Sequence, residues 1–148
     1  MSVRRTIRLR LVPTPEQAGA LLETLRQHTE CFNAVCAYGW QHQERNGVRL
    51  HHATYRALRE RFPALPSQLV IAARERAREA LRSVLAHARR GRKASQPRSR
   101  RCSIRYDART YTLRAPKGYV GLASVAGRLK VTLAIDPHAQ GILDQAVG

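Results

Sequence analysis

"RRTIRLRLVPTPEQ" (residues 4–17) sets a strand-like run directly against a helix start. Ile7, Leu9 and Leu11 alternate with Arg8 and Arg10, the period of two that sends successive side chains to opposite faces of a strand. One face reads as core and the other as cationic. Pro13 stops the ladder because it has no amide to donate. Thr14-Pro15-Glu16-Gln17 then supplies an N-cap hydroxyl, a first-turn proline, a first-turn acid and a glutamine three residues after the cap, so a helix is predicted to begin there.

Outward from that junction, the spacing predicts a first helix over about 15–38, with Ala18, Leu21, Leu25, Phe32 and Val35 as its apolar stripe and Gly39 or Asn46-Gly47 as its end. A short second helix is predicted over 52–61, closed by Phe62-Pro63. Pro66 opens a longer third helix, with Ser67 and Gln68 in its first turn and a small-residue face of Leu69, Ala73, Ala77, Ala80, Leu81, Val84 and Ala88. Beyond residue 103 the period returns to two. A hairpin is predicted from 104–106 and 111–113 around a turn at 107–110, and another from 119–125 and 128–133 joined at Ala126-Gly127. Leu129, Val131 and Leu133 alternate there with Lys130 and Thr132, and 140–147 reads as a short terminal helix. The order predicts an α+β fold: a small antiparallel sheet or barrel with a three-helix insertion after its first strand. Its parts would be a β domain of residues 1–13 and 101–148, a helical insertion of 14–90 and a basic linker of 91–100.

Charge narrows the partner. The chain has 27 Lys+Arg against 10 Asp+Glu, a formal charge of +17, nearly all of it arginine. The planar guanidinium fork donates two parallel hydrogen bonds to phosphate and stays ionised, so a polyanion is the economical partner. Candidate backbone-binding residues are Arg4, Arg5, Arg8 and Arg10 around the first strand, Arg74, Arg78 and Arg82 on the third helix, and Lys130 in the last strand. The helix arginines recur every four residues, where like charges repel by about 0.2–0.5 kcal/mol per pair. Glu75 and Glu79 partly offset this, and a solvated face of mixed ion pairs is the alternative reading. From residue 89 to 105 there are eight basic residues and no acid: Arg89, Arg90, Arg92, Lys93, Arg98, Arg100, Arg101 and Arg105. Gly91, Ser95, Pro97 and Ser99 break any helix there, so this reads as a flexible segment that neutralises phosphates by releasing counterions.

Other classes find little footing. No apolar run approaches the roughly 20 residues that span a bilayer, and Arg8 and Arg10 interrupt any signal-peptide core, so a cytoplasmic protein with no membrane partner is expected. Cys31, Cys36 and Cys102 leave an odd thiol in any pairing and read as reduced. His28 and Cys31 lie three apart but lack two further ligands for a metal. A catalytic site among His28, His51, His52 and Glu60 is disfavoured because adjacent histidines on a helix point to different faces.

"LVPTPEQ" (residues 11–17), "CFNA" (31–34), "LPSQ" (65–68), "REAL" (78–81) and "SIRYD" (103–107), in that order, resemble the N-terminal part of TnpB, also called OrfB, the transposon-encoded RNA-guided DNA nuclease related to type V CRISPR effectors. The resemblance implies that the strands form an incomplete, oligonucleotide-binding-like wedge barrel and the helices an inserted recognition lobe. Such parts hold a guide RNA, grip the guide–target DNA duplex and read a short motif beside the target. It implies that His52, Arg56, Ser67, Gln68, Tyr106 and Asp107 face that motif. Ile71 departs from the polar residue often found one turn after the Ser-Gln pair, so the bases read are not implied. The family's cutting activity lies in a later RuvC-like domain that uses divalent metal, followed by a zinc element. Neither is expected here, nor any cofactor or catalytic residue. "KVTLAIDP" (130–137) looks superficially like the strand that opens a RuvC-like site, but Asp136 lacks the following glycine and reads as a turn residue. The expectation is therefore a noncatalytic fragment of a longer nuclease. The alternative is a stand-alone DNA-binding regulator or decayed transposase remnant. Incomplete barrel edges would also allow a homodimer or strand exchange. Tyr38, Trp40, Tyr55, Tyr106, Tyr111 and Tyr119 are candidates to stack on bases, with core packing the alternative for each.

Overall fold

The structure, a computed structural model, describes residues 2–146. It is α+β. In chain order it runs β1 (Arg10–Val12), α1 (Pro15–His42), α2 (Gly47–Arg61), α3 (Ser67–Arg89), β2 (Tyr111–Arg114), a 3-10 turn (Ala115–Lys117), β3 (Tyr119–Ser124), β4 (Gly127–Ala134) and α4 (Pro137–Gln145). The strands form one antiparallel sheet in the order β1-β4-β3-β2. The last strand thus returns to pair with the first, Leu11 opposite Leu133, although three helices and two strands separate them in sequence. The sheet is open, with β1 and β2 as its edges.

The helix start matches its sequence signature. Thr14 Oγ1 accepts the Gln17 amide at 3.2 Å while Gln17 Oε1 accepts the Thr14 amide at 3.0 Å. The same glutamine donates through Nε2 to the Lys130 carbonyl at 2.8 Å, fixing the mouth of α1 to β4. The helix does not stop at Gly39 but runs on to His42. Gly39 is instead a point of close approach, where a Cβ would collide with Leu81 Cδ1 of α3 and stand 2.8 Å from the Glu44 carbonyl. Asn46 caps α2 by accepting the Val48 and Arg49 amides, which starts that helix at Gly47 rather than near His52. Asp136 caps α4 through the Ala139 amide at 2.7 Å, so α4 begins at Pro137 rather than at residue 140, and that cap is the structural role of this carboxylate.

Two apolar clusters result. The helical core gathers Phe32, Val35, Leu50, Leu58, Phe62, Leu65, Leu69, Val70, Ala73, Ala77 and Leu81 with all three cysteines. The buried stripe of α1 is Thr24, His28, Thr29, Cys31, Phe32, Val35, Cys36 and Gly39, not the stripe through Ala18 and Leu25. On α3, Ala88 is exposed and Leu85 is buried instead. The second cluster is the inner face of the sheet: Val120, Leu122, Val131 and Leu133, packed by Leu9, Leu21, Leu129 and Ile135. Tyr106 packs against both, and its hydroxyl donates to the Ala123 carbonyl at 2.9 Å.

Two expectations for the β part change. The first strand is short: Ile7 and Leu9 are half-buried between exposed arginines as the alternation predicts, but ladder pairing covers only Arg10–Val12 and Leu11 is 40% exposed. Residues 104–106 form no strand. β2 pairs with β3 instead, Leu113 opposite Val120. Cys102 is buried in the helical core and Ile104 packs against it.

Candidate nucleic-acid interface

Side-chain alternation along the paired strands gives the sheet a second, outer face. Partners opposite one another share a face. One row therefore joins Arg114, Tyr119, Thr132 and Val12, the next Thr112, Gly121 and Lys130, and the next Ala123 and Arg128. Arg10 lies on the same face, opposite Ala134. Arg10, Arg114, Arg128 and Lys130 are exposed, and no acid occurs between Asp107 and Asp136 in the chain. Gly121 and Ala123 keep the middle of the face low.

Two cations on this face are held in place. Lys130 Nζ stands 4.5 Å from the centroid of the Tyr119 ring. Arg128 reaches across β3 to β2, donating to Thr112 Oγ1 at 2.6 Å and to the Arg109 carbonyl at 3.1 Å. A basic sheet face with an aromatic ring set in it can contact phosphate oxygens, and the ring offers a base a stacking surface where Lys130 does not cover it. Of these residues the sequence pattern singled out Arg10, Lys130 and Tyr119 but not Arg114 or Arg128. The same alternation, continued two residues back from Lys130 and one on from Leu113, points to both.

The remaining candidate cations fall into separate groups. Arg8 lies next to the sheet-face Arg10, the two flanking Leu9 beside Ala134, Ile135 and Asp136. Arg4 is exposed, and Arg5 donates to Gln145 of α4 at 3.0 Å. Arg78 and Arg82 meet Arg45 beside the start of α2, while Arg74 is largely buried, donating to the Gly47 carbonyl and paired with Glu75 at 3.0 Å. Arg105 gives one Nη to both carboxylate oxygens of Glu79, at 2.8 and 2.9 Å, which holds that carboxyl below its usual range. Arg89, Arg90, Arg92 and Lys93 are exposed where α3 gives way to the following segment, and Arg101 is exposed further along it.

That following segment is not a free linker. Asn33 on α1 brackets Ser99, Nδ2 donating to its carbonyl and Oδ1 accepting its amide, both at 2.9 Å. One turn earlier, Thr29 accepts the Cys102 amide at 2.9 Å and His28 Nδ1 meets the Cys102 carbonyl at 3.1 Å. Thr24 completes the series by accepting the Val125 amide at 3.1 Å. The segment is thus strapped along α1, which turns Arg98 and Arg100 toward a groove shared with Arg61, Asn33 and Gln96.

The residues assigned by resemblance to motif reading are divided. His52 and Arg56 are exposed one turn apart on α2, with Arg56 paired to Glu60 at 3.4 Å, and Ser67 and Gln68 form the half-buried first turn of α3. Tyr106 is held by its hydroxyl between the two cores, and burial pushes that hydroxyl up to about 12. Asp107 is a turn residue: it accepts the Arg109 amide at 2.9 Å and pairs with the Arg109 guanidinium at 3.0 Å, which lowers its carboxyl. Among the described residues no three His, Cys, Asp or Glu side chains gather as a metal site, and no helix is long and apolar enough to cross a membrane. No protein-family model, curated protein or solved structure matches the chain.

Proposed function

We propose that the chain binds nucleic acid through the outer face of its sheet, as the wedge and recognition-lobe portion of a TnpB-like RNA-guided nuclease, holding guide RNA and the guide–target duplex without itself cutting. One observation supports this above the others: Arg10, Arg114, Arg128 and Lys130 share one exposed sheet face with Tyr119. Contacts of this kind set the position of a phosphate backbone, and in an RNA-guided arrangement base pairing then supplies sequence recognition. In this reading the helices form the recognition lobe, and His52, Arg56, Ser67 and Gln68 lie at the motif beside the target. Tyr106 and Asp107 act there only by fixing the turn that leads into β2. The four-stranded sheet stands for part of an oligonucleotide-binding-like barrel, completed by further strands or by a second copy.

The test is the nucleic acid that copurifies with the full chain, sequenced and then rebound in purified form. A defined structured RNA is expected, whose affinity falls steeply with salt, with a log–log slope that becomes shallower by about one unit for each phosphate contact removed in Arg128→Gln and Lys130→Gln. Heterogeneous fragments bound with no preference would reduce the reading to charge alone. Specific binding of a DNA duplex with no RNA present would favour a stand-alone regulator. Magnesium-dependent cleavage by the pure chain would overturn the noncatalytic assignment.

A further inference from the structure

Away from the sheet, Arg78 and Arg82 of α3 join Arg45, Asn46 and Gly47 around an open depression of about 360 Å³ beside the first turn of α2. No carboxylate lines it. Three guanidinium groups on one depression repel each other, and the neighbouring acid is already engaged. Glu75 holds Arg74 at 3.0 Å through Oε1 and Arg78 Nε at 3.1 Å through Oε2. Anchored by Nε, Arg78 keeps its two Nη groups for another acceptor. Arg74 acts as a brace: it is largely buried, it donates to the Gly47 carbonyl at 2.9 Å, and its own Nε has no partner.

Gly47 lets both arginines lie close against the first turn of α2. A Cβ there would stand 2.9 Å from Arg78 Cδ and 3.0 Å from Arg74 Nη1, so a larger residue would require these side chains to shift slightly. Asn46 takes the amides of Val48 and Arg49, and Gly47, whose amide it does not take, lines the depression. The result is a set of fork-shaped donors around one depression, of which Arg78 is braced through Nε by Glu75 and no carboxylate lines the depression itself. A group with several anionic oxygens answers that deficit.

We propose that Arg45, Arg78 and Arg82, set against Gly47, form a binding site for a phosphate group. The site rests on the nucleic-acid reading only for the source of that phosphate, a backbone phosphodiester or a 5′-terminal phosphate, which share the same chemistry.

The experiment titrates the full chain with inorganic phosphate at constant ionic strength and follows the Gly47 amide and arginine Nε–H resonances. A saturating shift at Gly47 is expected. In the double variant Arg45→Gln/Arg82→Gln the affinity should fall about tenfold or more, as for the loss of charge-assisted hydrogen bonds, with circular dichroism unchanged. The exposed Arg82→Gln alone provides a second reading if the double variant folds poorly. Displacement of phosphate by a hydroxyl-ended oligonucleotide assigns the site to backbone phosphate, and displacement only by its 5′-phosphorylated form assigns it to a terminal one. Absence of saturation, or equal affinity in the wild type and a folded variant, overturns the site. Such a failure with RNA binding through Arg128 and Lys130 intact would leave the proposed function standing. A site that saturates in a chain that binds no RNA would do the reverse.

Discussion

Asn33 holds both sides of the Ser99 residue at once, its amide nitrogen donating to the Ser99 carbonyl and its amide oxygen accepting the Ser99 N–H, each at 2.9 Å. This pair of bonds, spanning 66 positions of sequence, ties the arginine-rich segment to α1. Asn33→Ala removes both partners from half-buried backbone groups, so a loss of about 1–3 kcal/mol is expected in urea unfolding. Trypsin should also cut sooner at Arg98 and Arg100, because local release of the strap exposes them without global unfolding. Unchanged stability together with unchanged cleavage would mean that the strap is held elsewhere.

His28 makes the fold sensitive to acid. Its ring is fully buried, with Nδ1 against the Cys102 carbonyl and Nε2 facing no partner, so a proton on Nε2 would be a buried donor without an acceptor. Burial therefore lowers its pKa to about 4, and the Arg76 cation adds to the effect while the Cys102 carbonyl opposes it. An unfolded chain binds that proton near pH 6.5. Between about pH 4 and 6.5 unfolding takes up a proton, so the stabilisation is fully present above pH 6.5 and is lost as pH falls through the window, by up to about 3 kcal/mol. Denaturant unfolding across a pH series measures this. His28→Gln, which keeps a donor for the carbonyl but cannot titrate, should flatten the slope between pH 4 and 6.5.

Gly39 is where α1 and α3 come closest. A methyl group there meets both Leu81, a fully buried leucine, and the Glu44 carbonyl, whose own amide closes the helix end by bonding to the Gly39 carbonyl at 2.8 Å. Gly39→Ala gains up to about 1 kcal/mol of helix propensity but overpacks the interface, which typically costs 1–3 kcal/mol, so net destabilisation is expected in thermal unfolding. Leu81→Ala added to it should fail to restore stability, because the backbone contact at Glu44 remains and a cavity is added. Full restoration would show that the side chain alone sets the spacing.

What could be read in the sequence follows from what local pattern encodes. The cap at Thr14 and Gln17 is local chemistry, and the alternation of Leu129, Val131 and Leu133 with Lys130 and Thr132 states directly which face is buried. The α1 stripe was hidden because several of its buried members are polar. Thr24, His28 and Thr29 go inside where backbone groups more than 70 positions downstream come to meet them, and no periodicity of apolar residues records that. The same bonds explain why a run of arginines with Gly, Ser and Pro reads as a loose linker yet lies fixed along a helix. On the candidate interface, Arg10 and Lys130 followed from period two. The place of Arg128 beside Thr112 needed the register of β2 on β3, which the expected pairing of 111–113 with 104–106 had concealed.

Under the proposed function, the candidate cations should not contribute equally to RNA binding. Arg105 is engaged by Glu79, whereas Lys130 stands over an aromatic ring and is in no ion pair among the described residues. Lys130→Gln should weaken RNA binding and reduce the salt slope by about one unit. Arg105→Gln should do less on both counts, since the guanidinium it removes was already neutralised. Glu79→Gln frees Arg105 from its carboxylate and should strengthen binding at low salt, an effect that fades as the salt concentration rises. Fluorescence anisotropy at several salt concentrations separates the three variants, and equal losses for Lys130→Gln and Arg105→Gln would show that net charge, not the sheet face, governs the interaction.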